Sequence, residues 1–205
     1  HKLYITGALG STRLNEGFTS AYDLPDETAY AETCASIALV FWAQRMFQLD
    51  PNSRYIDVME KVLYNGFMSG LSLDGTQFFY SNPLASHPSI DPFNVWTSVL
   101  NTEAKPYQRE DWYDCACCPS NIARLIASIG GYFYALDDNR VYVNLYGQNE
   151  AKMLVGETPI QLTQTTTYPW YSTVYLRVDV DRPAKFELAL RIPAWCIGAR
   201  LKIDE

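Results

Sequence analysis

Apolar side chains recur at helical spacing in two neighbouring segments of the first half of the chain. In the segment 32–49, the residues that follow this period are Ile37, Val40, Phe41, Met46 and Phe47. In the segment 54–71, one helical face carries Ile56, Met59, Leu63 and Phe67. The spacing predicts two helices, with Ser53 as the N-cap of the second. Because the connection between them is short, we expect the two helices to be antiparallel neighbours.

A third helical pattern covers residues 119–136. One side of this segment carries Ile122, Leu125, Ile126, Ile129 and Phe133. Pro119 suits the first position of a helix, where its missing N–H costs nothing, so Cys118 is the predicted N-cap. The preceding residues 74–114 hold four prolines and show no sustained period. Within them, the segment 76–84 predicts a short edge strand.

The period changes from 3.6 to 2 after Asp138. Segments 140–146, 173–180 and 185–192 alternate apolar and polar residues, as half-buried antiparallel strands do. The fold class is therefore α then β, with one part over residues 1–138 and another over 139–205. Three helices cannot close a helical barrel, and the chain begins with His rather than Met. We therefore expect a piece of a longer protein.

Charge and hydropathy narrow the classes of partner. The net charge is −7 and no basic run occurs, which argues against nucleic acid or an anionic membrane as a partner. No apolar stretch reaches the roughly 20 residues of a membrane span. The 15 tyrosines and five tryptophans suit a sugar-binding groove, although aromatic rings serve equally well as core. The working hypothesis for location is the cytoplasm.

Three of the five cysteines lie in the short sequence YDCACCPSN, which spans residues 113–121. An odd number excludes complete disulfide pairing within one chain, and the adjacent Cys117 and Cys118 are poorly placed to pair with each other. A reduced compartment, a metal site and a reactive thiol remain as interpretations. Near the start of a helix, backbone N–H groups and the helix dipole make such thiols easier to ionise.

Glu32 and Cys34 offer similar chemistry in the sequence YAETCAS. Together with Cys117 and Cys118 they form a set of four ligands whose types suit tetrahedral zinc. Glu32 and Cys34 would point to opposite sides of a regular helix, so they act together only in a turn or at a helix start. Thr33 would then be the cap. The alternative is a buried helical Cys34 beside a solvated Glu32.

Three longer motifs carry a resemblance to a known family. They are LNEGFTSAYDLPDETAYAETCAS at 14–36, DCACCPSNIARLIASIGGYFYA at 114–135 and LALRIPAW at 188–195. Together they resemble glycoside hydrolase family 127, the β-L-arabinofuranosidase family. The resemblance covers most of the chain. It implies the C-terminal part of an (α/α)6 barrel, followed by the start of a β-sandwich domain.

The resemblance also implies roles for individual residues. A zinc ion would be held by Glu32, Cys34, Cys117 and Cys118. Cys117 would be the nucleophile and Glu16 the acid/base of a retaining exo-glycosidase that releases β-linked L-arabinofuranose from oligosaccharides or glycans. Tyr80 is matched to a substrate-binding tyrosine, and a homodimer is the working hypothesis for assembly.

The histidines His1 and His87 match no family motif. Other residues near the motifs have competing interpretations. Cys115 is expected beside the ligands or in a structural role, and Cys196 in the core of the β region. Asp114 is read either as an orienting group for a ligand or as an ordinary loop acid. Stacking on a sugar and core packing are both open for Trp96, Trp112 and Tyr113.

Two other functions stay open at this point. In the first, zinc is only structural and Glu16 works with a second carboxylate such as Asp23 or Asp26. In the second, the protein binds carbohydrate without catalysis and zinc only ties the loops together. Glu16 argues against the second alternative, because a binding protein needs no acid at that motif position.

Overall fold

The computed structural model describes residues 1–85 and 108–203. His87 and Trp96 therefore lie outside the described residues. The α-helices are α1 (Thr33–Leu49), α2 (Ser53–Lys61) and α3 (Cys117–Ser128). The strands are β1 (Tyr134–Asp137), β2 (Arg140–Val143), β3 (Asn149–Val155), β4 (Thr158–Thr165), β5 (Tyr175–Val180) and β6 (Glu187–Leu190). Helices thus precede strands along the chain, as the change of period predicts.

The chain divides into two compact units. One comprises residues 1–46 and 58–127, and the other comprises residues 47–57 and 128–205. The core of the first unit includes Ile37 and Val40 of α1, which are fully buried. Among the described residues, none of the helices combines the length and apolar character that a membrane span requires.

The start of α1 is fixed by an extended segment. Glu32 precedes the helix and forms an isolated β-bridge with Ser81, so Glu32 and Cys34 flank a helix start, as the metal-site hypothesis requires. Thr33 is the first helical residue rather than the cap. Its hydroxyl donates a 2.7 Å hydrogen bond to the carbonyl of Phe79. This bond fastens the beginning of α1 to the segment around Tyr80.

The N-cap of the second helix lies one residue earlier than predicted. The cap is Asn52, whose Oδ1 accepts a 3.1 Å hydrogen bond from the backbone N–H of Arg54, and Ser53 is already helical. The predicted apolar face is buried, as Ile56 and Met59 illustrate. After Lys61 the helix widens into a π-helix (Val62–Phe67), followed by a 3-10 turn (Met68–Gly70), which shortens the regular helix relative to its predicted length.

The third helix also begins earlier than predicted. It starts at Cys117, so Cys118 lies within the first turn rather than at the N-cap, and Pro119 is the third helical residue. Leu125 is fully buried, but Ile126 is 57% exposed. The expectation that Ile126 belongs to the buried side is therefore wrong. Ile126 is turned about 100° from Leu125 around the helix axis and so lies outside the buried face.

The segment predicted as a short edge strand forms isolated bridges instead of a regular strand. Phe78 pairs with both Leu71 and Glu110, and Ser81 pairs with Glu32. The backbone N–H of Thr33 donates to the carbonyl of Tyr80 at 3.0 Å. This short extended stretch therefore brings the side chain of Tyr80 beside the beginning of α1.

The second unit contains two three-stranded sheets. One sheet has the order β1-β2-β6 and the other is an antiparallel meander, β3-β4-β5. The expectation of purely antiparallel strands is wrong for one pair, because β6 runs parallel to β2. Between β2 and β6 the chain forms the whole of the other sheet, β3-β4-β5. This long connection allows β6 to run parallel to β2. Val141, Val155 and Ile160 form a buried core cluster in this unit.

Candidate metal centre

Two helix starts bring four candidate ligands together. Glu32 and Cys34 come from the start of α1, and Cys117 and Cys118 come from the first turn of α3. One ligand atom from each of these residues lies within 4.8 Å of all the others. The structure therefore brings together the four residues that the sequence predicts as a group.

The spacing of these atoms suits a tetrahedral ion. The sulfur of Cys34 lies 3.3 Å from that of Cys117 and 3.6 Å from that of Cys118. The sulfurs of Cys117 and Cys118 are 3.9 Å apart, and Cys117 Sγ lies 3.5 Å from Glu32 Oε1. Zinc–sulfur bonds of about 2.3 Å in tetrahedral geometry separate two sulfurs by about 3.8 Å. Three thiols and a carboxylate at this spacing match the preferred donors of zinc.

The electrostatics of the cluster also favour a cation. The hydrogen bond from Cys118 lowers the pKa of Cys34 to about 7, and the amide of Asn121, 3.2 Å away, acts in the same direction. Burial raises the pKa of Cys117 to about 12. The pKa of Cys118 is raised first by its hydrogen bond with Cys34, and then by burial. Only one of the three sulfurs thus ionises readily by itself, whereas a bound dication stabilises all three thiolates.

Aromatic side chains surround the sulfurs. Tyr80 and Tyr113 are buried, and their rings meet edge to face with centroids 5.8 Å apart. The hydroxyl of Tyr80 lies 3.5 Å from the sulfur of Cys117 and 3.7 Å from the sulfur of Cys115. Cys115 itself is exposed and lies outside the four-residue group. Tyr80, predicted to bind substrate, therefore lies directly against the predicted nucleophile.

The predicted acid/base, Glu16, is exposed and its carboxylate is held by a buried phenol. Tyr30 is 1% exposed, and its hydroxyl donates a 3.1 Å hydrogen bond to Glu16 Oε1. Asn15 and Glu16 have φ values of 56° and 50°, a left-handed conformation that non-glycine residues rarely adopt. Consecutive residues in this region carry strain of about 1–3 kcal/mol each, which is typical of functional sites.

The sequence analysis did not identify Tyr30 and Asn121 as residues of the site. Tyr30 precedes Glu32 by two residues, but Ala31 between them has a φ of 39°, so the pair does not lie on a regular extended strand. The pKa of Tyr30 is raised first by burial and then by the charge of Glu32. Asn121 follows Cys117 by four residues, which places both on one face of α3. This helical spacing is the signal that points to Asn121, whereas no local pattern points to Tyr30.

The three remaining candidates near the cysteine motif differ in burial. Tyr113 belongs to the core around Tyr30, Tyr80 and Cys118, and its hydroxyl donates to the carbonyl of Phe78 at 3.4 Å. Core packing is thus its observed role. Trp112 and Asp114 are exposed.

Four further positions considered from the sequence have ordinary surroundings. His1 meets the ring of Tyr22 edge to face at 4.8 Å between centroids. Cys196 is half-buried rather than fully buried, which corrects the expectation of a core residue. The charges of Asp23 and Asp26 act on Tyr4, whose pKa is raised to about 12 mainly by burial.

Two family models match this chain, one over each of its parts. Residues 1–131 match the family model of the GH127 β-L-arabinofuranosidase catalytic domain, and residues 140–204 match that of the GH127 middle domain. A non-reducing end β-L-arabinofuranosidase from Bifidobacterium longum subsp. longum is 41% identical over 203 residues, which are 97% of this chain and 30% of that protein. The chain therefore spans about a third of the length of this relative.

Solved structures agree with the sequence matches. A GH127 β-L-arabinofuranosidase from Geobacillus stearothermophilus T6 superimposes with a TM-score of 0.87 at 46% identity, covering 96% of this chain and 30% of that one. The GH127 β-arabinofuranosidase BT3674 gives a TM-score of 0.83 at 43% identity, over 95% of this chain and 28% of that one. The chain belongs to the GH127 β-L-arabinofuranosidase family.

Proposed function

We propose that the full-length protein containing this chain is a zinc-dependent retaining exo-glycosidase. Its product would be L-arabinofuranose released from a β-linkage at the non-reducing end of an oligosaccharide or glycan. In this proposal, residues 1–138 form the C-terminal part of an (α/α)6 catalytic barrel and residues 139–205 form the start of a β-sandwich domain. The catalytic and middle family matches over 1–131 and 140–204 support this division.

The observation that carries the proposal is the group of three sulfurs and one carboxylate at the two helix starts. Glu32, Cys34, Cys117 and Cys118 would hold the metal. A bound zinc ion would keep the thiols deprotonated at neutral pH and moderate their nucleophilicity. Cys117 is the half-exposed member beside Tyr80, whereas Cys118 is fully buried. Cys117 is therefore the better placed of the adjacent pair to meet a substrate.

The reaction would proceed in two displacements. In the first, the Cys117 thiolate forms a bond to the anomeric carbon while the glycosidic C–O bond breaks. Glu16 transfers its proton to the departing oxygen. In the second, Glu16 takes a proton from water, the water oxygen attacks the anomeric carbon, and the C–S bond breaks with its electron pair returning to sulfur. Two inversions retain the anomeric configuration.

Tyr80 and Asn121 would support the nucleophile. The Tyr80 hydroxyl is in contact with Cys117 Sγ and can donate to it once the sulfur is a thiolate. The amide of Asn121 donates to the sulfur of Cys34, the neighbour of Cys117 in the cluster. Hydrogen bonds to ligating atoms orient them and adjust their basicity, and losing one commonly costs 10- to 100-fold in activity or metal affinity.

The deciding experiment is hydrolysis of para-nitrophenyl β-L-arabinofuranoside by the full-length protein, with and without a zinc chelator. The proposal expects release of nitrophenol that the chelator abolishes and added zinc restores. Because the proposed reaction retains the anomeric configuration, the sugar released first should be the β-anomer in an NMR time course. No release from folded, zinc-loaded protein would overturn the proposal in favour of another sugar or of binding without turnover.

A structural role for zinc gives a different result in the same assay. The chelator would then lower the melting temperature while the specific activity of the remaining folded protein persisted.

The cytoplasmic location and the homodimer stay predictions, to be checked by cell fractionation and by light scattering of the full-length protein.

A further inference from the structure

A buried phenol joins the two halves of the proposed catalytic site. The hydroxyl of Tyr30 donates to Glu16 Oε1 at 3.1 Å, and the charge of Glu32 acts on the same phenol. The ring of Tyr30 packs against that of Tyr80, whose hydroxyl lies 3.5 Å from the sulfur of Cys117. Tyr30 therefore contacts both the exposed carboxylate and a residue that lies against the metal cluster.

We infer that Tyr30 is a positioning residue, which holds the carboxyl of Glu16 at a fixed place relative to Cys117. The inference rests on the proposed function, since it assigns Glu16 the acid/base role. Tyr30 is not one of the four candidate metal ligands, so the proposed metal site by itself assigns it no role.

Glu16 needs such a partner because little else restrains its side chain. It is exposed, it lies on a short 3-10 turn (Leu14–Glu16), and a free glutamate samples many rotamers. Ordering a glutamate side chain costs conformational entropy. A hydrogen bond from a fixed donor to the carboxyl offsets that cost and favours one rotamer.

Tyr30 is suited to this task because it is itself immobile. Its side chain is 1% exposed, and its ring packs against that of Tyr80 with centroids 6.4 Å apart. The backbone N–H of Tyr30 donates to the carbonyl of Gly10 at 3.1 Å. A donor held by packing and by its own backbone transmits a fixed position to the group it binds.

This role has a particular kinetic signature. Proton donation by Glu16 matters when the departing oxygen is strongly basic and matters little when it leaves readily as nitrophenolate. Loss of the Tyr30 hydroxyl should therefore slow substrates with poor leaving groups much more than substrates with good ones. Loss of zinc or of folded protein lowers both rates by the same factor.

The test compares Tyr30→Phe with wild type in the full-length protein, using methyl and para-nitrophenyl β-L-arabinofuranosides. We expect kcat/KM to fall by about 10- to 100-fold on the methyl glycoside, and less than about threefold on the nitrophenyl glycoside. The ratio of the two rates is measured on one preparation and is independent of its folded fraction. Zinc content should stay at the wild-type value.

The matched control is Tyr113→Phe, which removes a hydroxyl from the same aromatic core. That hydroxyl donates to the carbonyl of Phe78 and, within the part of the chain that the structure describes, makes no hydrogen bond with Glu16. The control should leave the ratio of the two rates unchanged. An equal loss on both substrates for Tyr30→Phe would overturn the inference.

A double variant tests whether Tyr30 acts through Glu16. With Glu16→Gln already present, adding Tyr30→Phe should leave the ratio of rates where Glu16→Gln sets it, because the carboxyl to be positioned is gone. A further change in the ratio would overturn the inference. Wild-type protein that cannot hydrolyse the nitrophenyl glycoside at all would instead contradict the proposed function.

Discussion

The hydroxyl of Tyr80 lies 3.5 Å from the sulfur of Cys117, the residue proposed to attack the sugar. Tyr80 is buried and is not one of the four candidate metal ligands. Replacing Tyr80 with Phe should therefore lower kcat/KM on the nitrophenyl glycoside by about 10- to 100-fold while zinc content is unchanged. Steady-state kinetics and metal analysis of the full-length variant check both expectations.

Tyr4→Phe is the control for this change. Tyr4 is also buried, and its hydroxyl donates to the carbonyl of Pro25 at 3.2 Å, in a core cluster separate from that of Tyr80. Its activity should match wild type. Equal activity of Tyr80→Phe and wild type would show that this hydroxyl has no part in turnover.

The thiol of Cys117 should be indispensable for turnover. Cys117→Ala removes the atom proposed to bond the anomeric carbon, so hydrolysis should fall to background while the circular dichroism spectrum stays native. Cys196→Ala, in the other unit of the chain, should retain activity. Substantial turnover by folded Cys117→Ala would rule out the thiolate mechanism.

Metal binding should depend on the cluster and not on cysteine content in general. The full-length protein should carry one zinc ion at this site, and Cys34→Ser should lose it, because a serine hydroxyl is a far weaker ligand than a thiolate. Elemental analysis after dialysis measures the ratio of metal to protein. Cys115→Ser should keep its zinc, because Cys115 is exposed and outside the cluster. Similar zinc content in both variants would refute the assigned ligand set.

Thr33 should stabilise the start of α1. Its buried hydroxyl donates to the Phe79 carbonyl and accepts from the amide of Asn82 at 3.1 Å. Thr33→Val keeps the shape but leaves both groups without this partner, so the free energy of unfolding should fall by about 1–3 kcal/mol. Denaturant titration of the full-length variant measures this.

Ser36→Ala provides the matched comparison one turn further along α1. The Ser36 hydroxyl is buried and has no hydrogen-bond partner among the described residues. Its removal should change stability by less than about 0.5 kcal/mol, or increase it. If the two variants were equally stable, the Thr33 bond to Phe79 would have no measurable part in holding the helix start.

A buried ion pair should stabilise the second unit. Arg191 is 3% exposed in its side chain, and its guanidinium lies 2.7 Å from Asp57. Arg191→Met leaves a partly buried carboxylate without its cation and should cost about 3 kcal/mol of stability. Arg177→Met breaks an exposed pair with Asp179 and should cost less than about 1 kcal/mol. Melting curves of the two variants should differ clearly; identical curves would contradict the expectation.

Local periodicity predicted the helices and those strands in which apolar and polar residues alternate clearly. The three helices and the strands β2, β5 and β6 were located in this way, whereas β1, β3 and β4 were missed. β1 follows the α3 region so closely that its apolar residues extend the helical pattern. In β4, Pro159 and the polar Gln164 at an inward position weaken the alternation, although Gln164 is fully buried. Its amide donates to the Tyr134 hydroxyl, a partner that no local pattern contains.

The candidate site was predictable as a set of residue types but not as an arrangement. The family motifs gave the acid and the four ligands, and the structure brings those ligands together. The contact between Tyr30 and Glu16 spans 14 residues and depends on a turn with two left-handed residues, Asn15 and Glu16. Asn enters the left-handed region more readily than most residues, but Glu does not, so tertiary packing is needed to hold Glu16 in this turn. This is why Tyr30 was absent from the predicted site.

The separation of Cys34 and Cys117 along the chain, 83 residues, dictates an order of events during synthesis. The first thiol leaves the ribosome long before the second, and closing so long a loop costs chain entropy that only packing of the two helix starts repays. The proposed four-ligand site would therefore be complete only after the chain as far as Cys118 has emerged, and metal binding there would be coupled to folding of both helix starts. Until then, Cys34 would lack the two partner thiols from α3.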